Sequence, residues 1–307
     1  MAMAGTLATT EHSSLSGMAL AASAFALQTS VDTFFKLVAT GGHPAYQILV
    51  INGCFALVPI LIWTMMTGGF KRLYTVRLPQ HIARGAVSVM SAFAAIYAYS
   101  RLPLTDFYAI VFAGPLIVTA MSAFWLGEKI ESARVLAILA GFAGILIVAN
   151  PFDMHGATAI SRIDVLAGRF AAFVSIFCYA LSVIMVRRMR LGETNLSFCF
   201  YGYLVAIAIG AGFLWLRGAP PLDGKTIALL ACSGTLAGIS SICLMTAYHR
   251  TTVSLIAPFQ YTQIVWGAVA GYLLWAQMPN MRLITGAAVV AASGLFVIYR
   301  EFSLPER

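Results

Sequence analysis

Ten apolar runs follow one another along this chain, at about 15–38, 45–67, 82–101, 105–126, 133–150, 164–186, 196–216, 226–248, 252–275 and 282–299. Each is close to the roughly 20 residues that an α-helix needs to cross a bilayer. The connections are mostly short and leave no room for a separate soluble domain. Of the 307 residues, 60% are hydrophobic and only 10% charged, against about 25% charged in soluble domains. Barrel strands would alternate in polarity over about ten residues, whereas these runs are continuous. The chain is therefore expected to be an all-α integral membrane protein with ten transmembrane helices.

An even number of crossings brings both termini to one side. Of nineteen Lys and Arg residues, twelve fall on that side, including Lys71, Arg72, Arg187, Arg188 and Arg190. The other seven, including Lys36, Arg101 and Lys225, fall on the opposite side. The positive-inside rule then places both termini in the cytoplasm, and the expected location is a bacterial inner membrane. The net charge of +8 is accounted for by topology, so a nucleic-acid partner is not expected. The opening MAMAGTLATTEHSS has no Lys or Arg, unlike a signal peptide, so the first run is expected to be retained. Five cysteines lie inside apolar runs without CxxC spacing and read as small buried hydrophobes.

The chain also repeats itself. AYSR (Ala98 to Arg101) returns as AYHR (Ala247 to Arg250), 149 positions later, and the same offset carries Ser91 onto Ser240. From Trp125 the offset becomes 150, pairing Trp125 with Trp275 and Gly144 with Gly294. Two halves follow, residues 1–150 and 151–307, with five segments each. Because five is odd, the second half enters the membrane inverted relative to the first. Inverted repeats are a recurring plan of secondary transporters, with the substrate held near the midplane between the halves.

The stretch FWLGEKIESARVLAILAGFAGILIVANP (Phe124 to Pro151) resembles the first repeat of the drug/metabolite transporter superfamily, in its EamA branch. GYLLWAQMPNMRLITGAAVVAASGLFVIYRE (Gly271 to Glu301) resembles the second. The resemblance covers nearly the whole chain and implies ten helices in two inverted-topology five-helix repeats. It also implies a carrier of small metabolites. Bacterial members export amino acids, including aromatic ones, threonine and homoserine, while others take up S-adenosylmethionine or sugar-linked metabolites. In the aromatic amino acid exporters, helices 1, 3, 4, 6, 8 and 9 surround a central cavity. The family often has a Glu near Gln277 to match Glu128; its absence here makes Glu128 a helix-end residue.

Helical geometry shows which faces are polar. Gln28, Asp32 and Lys36 fall within about 80° of one another on segment 1. A carboxylate in hydrocarbon costs about 3 kcal/mol on insertion scales and faces a cavity or a partner. Asp32 is thus expected beside a water-filled path, where it would bind a substrate amine or carry a coupling proton. The plainer alternative is an i,i+4 pair with Lys36 that neutralises itself, with the Lys36 stem snorkelling to the membrane edge.

Segment 3 sets Ser88, Ser91, Ala95 and Tyr99 on one stripe, and segment 8 does the same with Ser233, Ala237, Ser240 and Tyr248. Close helix packing competes with a cavity as the reason for such serines. The tyrosines offer a ring face and a hydroxyl. On segment 6, Ser175, Cys178, Tyr179 and Ser182 share a face, and on segment 9 so do Gln260, Gln263, Gly267 and Gly271, the last two forming GxxxG. Trp266 lies near the middle of segment 9, where lipid or core packing is the alternative to ligand stacking. The candidate path therefore comprises Gln28, Asp32, Ser91, Tyr99, Tyr179, Ser240, Tyr248, Gln260, Gln263 and Trp266. Pro115, following Gly114, removes a backbone hydrogen bond in segment 4 and is the hinge candidate.

Other chemistries find little support. APPLDGKT (Ala219 to Thr226) lacks the first glycine of a phosphate-binding loop and has two prolines inside it. The five histidines are scattered without metal-ligand spacing, and no HExxH or GxSxG occurs. No cofactor, metal or enzymatic activity is expected. The expected function is export of amino acids or related small metabolites by alternating access, with lipid and substrate as partners and a monomer sufficient. The alternative is uptake of S-adenosylmethionine or another cationic nucleoside metabolite, and a non-transporting subunit or an intramembrane enzyme is the remaining class. A fluorescent protein fused after Arg307 should fluoresce and alkaline phosphatase fused there should be inactive; the opposite pattern would invert the topology.

Overall fold

The computed structural model describes residues 2–126, 159–189, 192–250, 259–277 and 281–303, with isolated positions between 136 and 147. The ordered elements are helices: α1 (Ala2–Thr40), α2 (Ala45–Met66), a short 3₁₀ turn (Phe70–Leu73), α3 (Leu78–Tyr99), α4 (Leu104–Val111), α5 (Gly114–Leu126), α6 (Ala159–Met189), α7 (Asn195–Arg217), α8 (Gly224–Arg250), α9 (Gln263–Trp275) and α10 (Met281–Ser303). Among the described residues there is no strand. Glu128, most of segment 5 and the expected junction between the halves lie outside the described residues.

Five described stretches are long and apolar enough to cross a membrane, within α2, α3, α6, α7 and α8. Their outward faces carry large apolar side chains, such as Val58, Ile62 and Met65 on α2 and Phe170, Phe173 and Phe177 on α6. Cys54 and Cys232 are exposed as well, which corrects the expectation that all five cysteines are buried. A face that meets lipid needs only to be apolar, and a cysteine side chain satisfies that as well as a buried one does.

Between helices in lipid there is no hydrophobic drive, so close approach and hydrogen bonds must hold the bundle. Gly234 and Gly238 on α8 provide the approach. A side chain at either would overlap the backbone of α2, at the carbonyls of Asn52 and Ala56. Beside them Asn52 Nδ2 donates to Ser233 Oγ at 2.8 Å. Elsewhere Ser88 and Ser182 Oγ lie 2.9 Å apart between α3 and α6, and Tyr203 and Ser241 join α7 to α8 at 3.3 Å.

The helix pairings respect the repeat. α1 packs on α8 as α3 packs on α6, α2 packs on α8 as α3 packs on α7, and α2 meets α7 while α4 meets α9. Exchanging segment n with segment n+5 maps these pairings onto one another. The two segments that meet at the centre are both broken. Segment 4 stops at Val111 and restarts at Gly114. Pro115, the second residue of α5, has no N–H to give the Val111 carbonyl, so the break falls just before the proline, at Phe112–Ala113.

Segment 9, expected as one helix, is broken too. Thr262 N–H donates to the Phe259 carbonyl, Ile264 to Tyr261 and Val265 to Thr262. These i→i+3 bonds wind the backbone more tightly than an α-helix. The break at Tyr261–Thr262 is the Phe112–Ala113 break displaced by the repeat offset of 149. The two breaks also touch, with the Phe112 and Tyr261 rings edge-to-face at 4.9 Å between centroids.

One end of the bundle is stapled by Glu193, between α6 and α7. Its carboxylate accepts from the Thr75 hydroxyl at 2.6 Å and the Ser197 hydroxyl at 3.1 Å, and lies 3.1 Å from His81 Nε2. Burial alone would raise this carboxyl, but the hydrogen bonds from Thr75, His81 and Ser197 outweigh it and hold its pKa below the ordinary glutamate value. Arg84, one turn along α3, donates to the Phe198 carbonyl at 2.6 Å.

Gly238→Leu should force α8 off α2 and destabilise the protein by about 1–3 kcal/mol or more, read as a fall in melting temperature in detergent. Gly212, which has nothing within 4 Å of a built Cβ, is the control; Gly212→Leu should melt as wild type does.

Candidate functional site

Asp32 sits on α1 and is 6% exposed. Its Oδ2 accepts a 2.8 Å hydrogen bond from the Tyr108 hydroxyl of α4. Its Oδ1 accepts from Gln28 Nε2, one turn back on α1, at 3.2 Å. Tyr99 lies near the same carboxylate. Every one of these donors is neutral. Neither the His81–Glu193 nor the Arg101–Asp164 ion pair includes Asp32.

The i,i+4 pair with Lys36 does not form. Lys36 Nζ donates instead to the Leu102 carbonyl at 2.6 Å and stands 4.8 Å from the centre of the Trp275 ring. Nor does the side chain snorkel, since Lys36 is 4% exposed. The physical reason is the turn after α3. Its terminal carbonyls lack intrahelical donors, and the Lys36 ammonium reaches one of them.

Aromatic rings build the walls of the site. Tyr99 packs edge-on against Phe107 at 4.5 Å, and Phe107 against Tyr108 at 5.9 Å. Gly267 of α9 lies directly on the Tyr108 ring, where a Cβ would come within 2.6 Å of Cε2. Thr29 lies near Tyr108 on the α1 side, its own hydroxyl donating to the Phe25 carbonyl at 3.0 Å. Tyr108, the main partner of Asp32, is absent from the candidates drawn from the sequence. It is the only tyrosine in segment 4, and that rarity was the available signal.

The other candidates divide. Ser91 Oγ donates to the Ser175 carbonyl at 2.8 Å and Ser240 Oγ to the Ala24 carbonyl at 2.8 Å, so both hydroxyls are used in holding helices together. Tyr179 is 45% exposed on the side of α6 opposite Phe170, Phe173 and Phe177, between the serines that meet α3 and Ile176, which meets Gly114 of α5. Gln260 and Gln263 fall on the two sides of the break in segment 9, so they do not share one continuous helical face; Gln263 is buried and Gln260 half-buried. Tyr248 lies on α8, with its side chain outside the described residues.

Trp266 lies away from the carboxylate. It lines a cleft of about 620 Å³ between α1 and α9, together with Ser23, Ser30, Val269 and Leu273. Thr29 reaches the cleft as well, so one threonine separates it from Tyr108 and Asp32. In the repeat-related seam between α5 and α6, Gly114 lies against Ile176.

A family model described as the EamA-like transporter family matches the chain twice, over residues 15–150 and 166–300. The pseudopaline exporter of Pseudomonas aeruginosa is 23% identical over 250 residues, covering 81% of this chain and 84% of that protein. The S-adenosylmethionine uptake transporter of Rickettsia felis is 24% identical over 273 residues, 88% of each. The riboflavin transporter of Vibrio cholerae is 26% identical over 297 residues, 95% of each. One crystal structure superposes with a TM-score of 0.67 over 95% of this chain and 99% of its own, at 16% identity, a likeness of fold alone.

The overlap at Gly267 generates a test. Gly267→Ala must push the Tyr108 ring off Asp32, and Tyr108→Phe removes the same hydrogen bond directly. Both should lower initial transport rates by about tenfold, the worth of a hydrogen bond to a charged group. Gly271→Ala, whose Cβ would meet nothing closer than 3.9 Å, should transport as wild type does.

Proposed function

The chain belongs to the EamA-like transporter family, and from that premise we propose that it exports amino acids or closely related small metabolites across the bacterial inner membrane. Export would proceed by alternating access of two halves, 1–150 and 151–307, with both termini cytoplasmic and a monomer sufficient. The observation that carries the reading is Asp32, a buried carboxylate held by Tyr108 and Gln28 and, among the described residues, by no basic side chain. Neutral donors steady a carboxylate without neutralising it. The charge is left for a substrate ammonium group or a coupling proton, either of which offsets the cost of keeping an acid in the membrane. Gln263, Tyr179 and the rings of Tyr99 and Tyr108 are the further candidates to line the path.

A second reading is uptake of S-adenosylmethionine or a similar cationic metabolite. It is favoured by the rings at the carboxylate, because aromatic faces beside an acid suit an organic cation, and by the name of the Rickettsia relatives.

Flux of a labelled amino acid panel and of S-adenosylmethionine into liposomes containing purified protein tests both. Amino acid flux that falls at least about tenfold in Asp32→Asn supports the first reading. Flux of S-adenosylmethionine alone supports the second. An Asp32→Asn protein that transports normally at every pH from 5 to 9 removes the role of the acid.

A further inference from the structure

We infer that Lys36 is the second anchor of the transported molecule, receiving its carboxylate while Asp32 receives its ammonium group, so that the site selects zwitterions over simple amines. The inference rests on the reading of Asp32 as the receptor for a cationic group.

Asp32 and Lys36 are one helical turn apart on α1, about 6 Å along the axis and 40° around it. Both are buried, at 6% and 4% exposure. An acid and a lysine at this spacing pair readily, and in hydrocarbon the incentive to pair is larger still. Instead, the carboxylate is held by Tyr108 and Gln28 and the ammonium by the Leu102 carbonyl and the Trp275 ring. Two opposite charges stand side by side, each steadied by groups that leave its charge in place. A ligand that carries an ammonium and a carboxylate on one carbon can satisfy both at once.

The remaining charges around Lys36 agree. Asp106, in the first turn of α4, lies within electrostatic reach of both Lys36 and Arg169 of α6. Lys36 therefore shares that acid with a second cation. An ammonium has three N–H donors, and Leu102 takes one of them. Closing the turn after α3 does not by itself call for a charge, since a neutral amide could donate to the Leu102 carbonyl equally well. Trp275 brings the end of α9 to the same ammonium, so a ligand bound here would join segment 1, the turn between segments 3 and 4, and segment 9.

The test compares each amino acid with the amine that lacks its carboxylate, as competitors of flux in liposomes. Lys36→Gln keeps a donor for Leu102 and removes the charge; Lys36→Arg keeps the charge. Wild type should prefer the amino acid by about tenfold or more, the worth of a charged hydrogen bond. Lys36→Gln should lose that preference by weakening the amino acid alone, with the amine changed less than about threefold, and Lys36→Arg should restore part of it. Melting temperatures of both variants in detergent verify folding. Equal weakening of amino acid and amine in Lys36→Gln, or a wild type that does not tell them apart, overturns the inference while Asp32 keeps its role. Loss of neither ligand in Asp32→Asn, or no binding of any amine, overturns the underlying reading, and this one with it.

Discussion

Hydrocarbon offers no hydrogen bonds, and the rest of the molecule depends on that constraint. Every polar group placed in the membrane must find a partner within the protein or line a cavity. The serines of α3, α6 and α8 meet it with the carbonyl or hydroxyl of a facing helix. Asn52 does the same with Ser233. Asp32 meets it with hydroxyls and an amide, and Lys36 with a carbonyl and a ring. These polar contacts tie particular helices to one another, within a bundle whose interior is otherwise apolar, as at Ile48, Phe112 and Ile176.

The same constraint gives meaning to the broken helices. Interrupting a helix frees backbone groups, which a membrane tolerates only inside protein or beside a cavity. Segments 4 and 9 are broken at repeat-related positions, and Phe112 and Tyr261 pack the two breaks against each other. From the first break runs α4, which places Tyr108 on Asp32. From the second runs α9, which sets Gly267 under the Tyr108 ring. The site is thus assembled where two discontinuous segments cross α1, and the open seam between α1 and α9 adjoins it through Thr29.

The candidate residues show why a polar face is an incomplete guide. Ser91 and Ser240 share a stripe with tyrosines, but a hydroxyl reads alike whether it lines a path or bonds to a neighbouring helix. Tyr108 stands alone among the apolar residues of segment 4, whose conspicuous feature in the sequence is its proline. Gln260 and Gln263 share a face only at 100° per residue, a rotation that the i→i+3 bonds between Phe259 and Val265 replace.

Hydropathy is a property of a window of sequence, so the chain by itself determined an all-helical membrane fold and the acid buried in its first segment, but not the breaks in segments 4 and 9. The repeat was legible for a similar reason, because fixed offsets such as Ala98 to Ala247 survive without knowledge of contacts. Partnership is decided between segments distant in sequence. Whether Asp32 takes Lys36 four residues away or Tyr108 seventy-six residues away depends on which helices cross and how closely their small residues allow it. The tertiary structure made that choice, and with it separated the two charges of α1 that the sequence placed one turn apart.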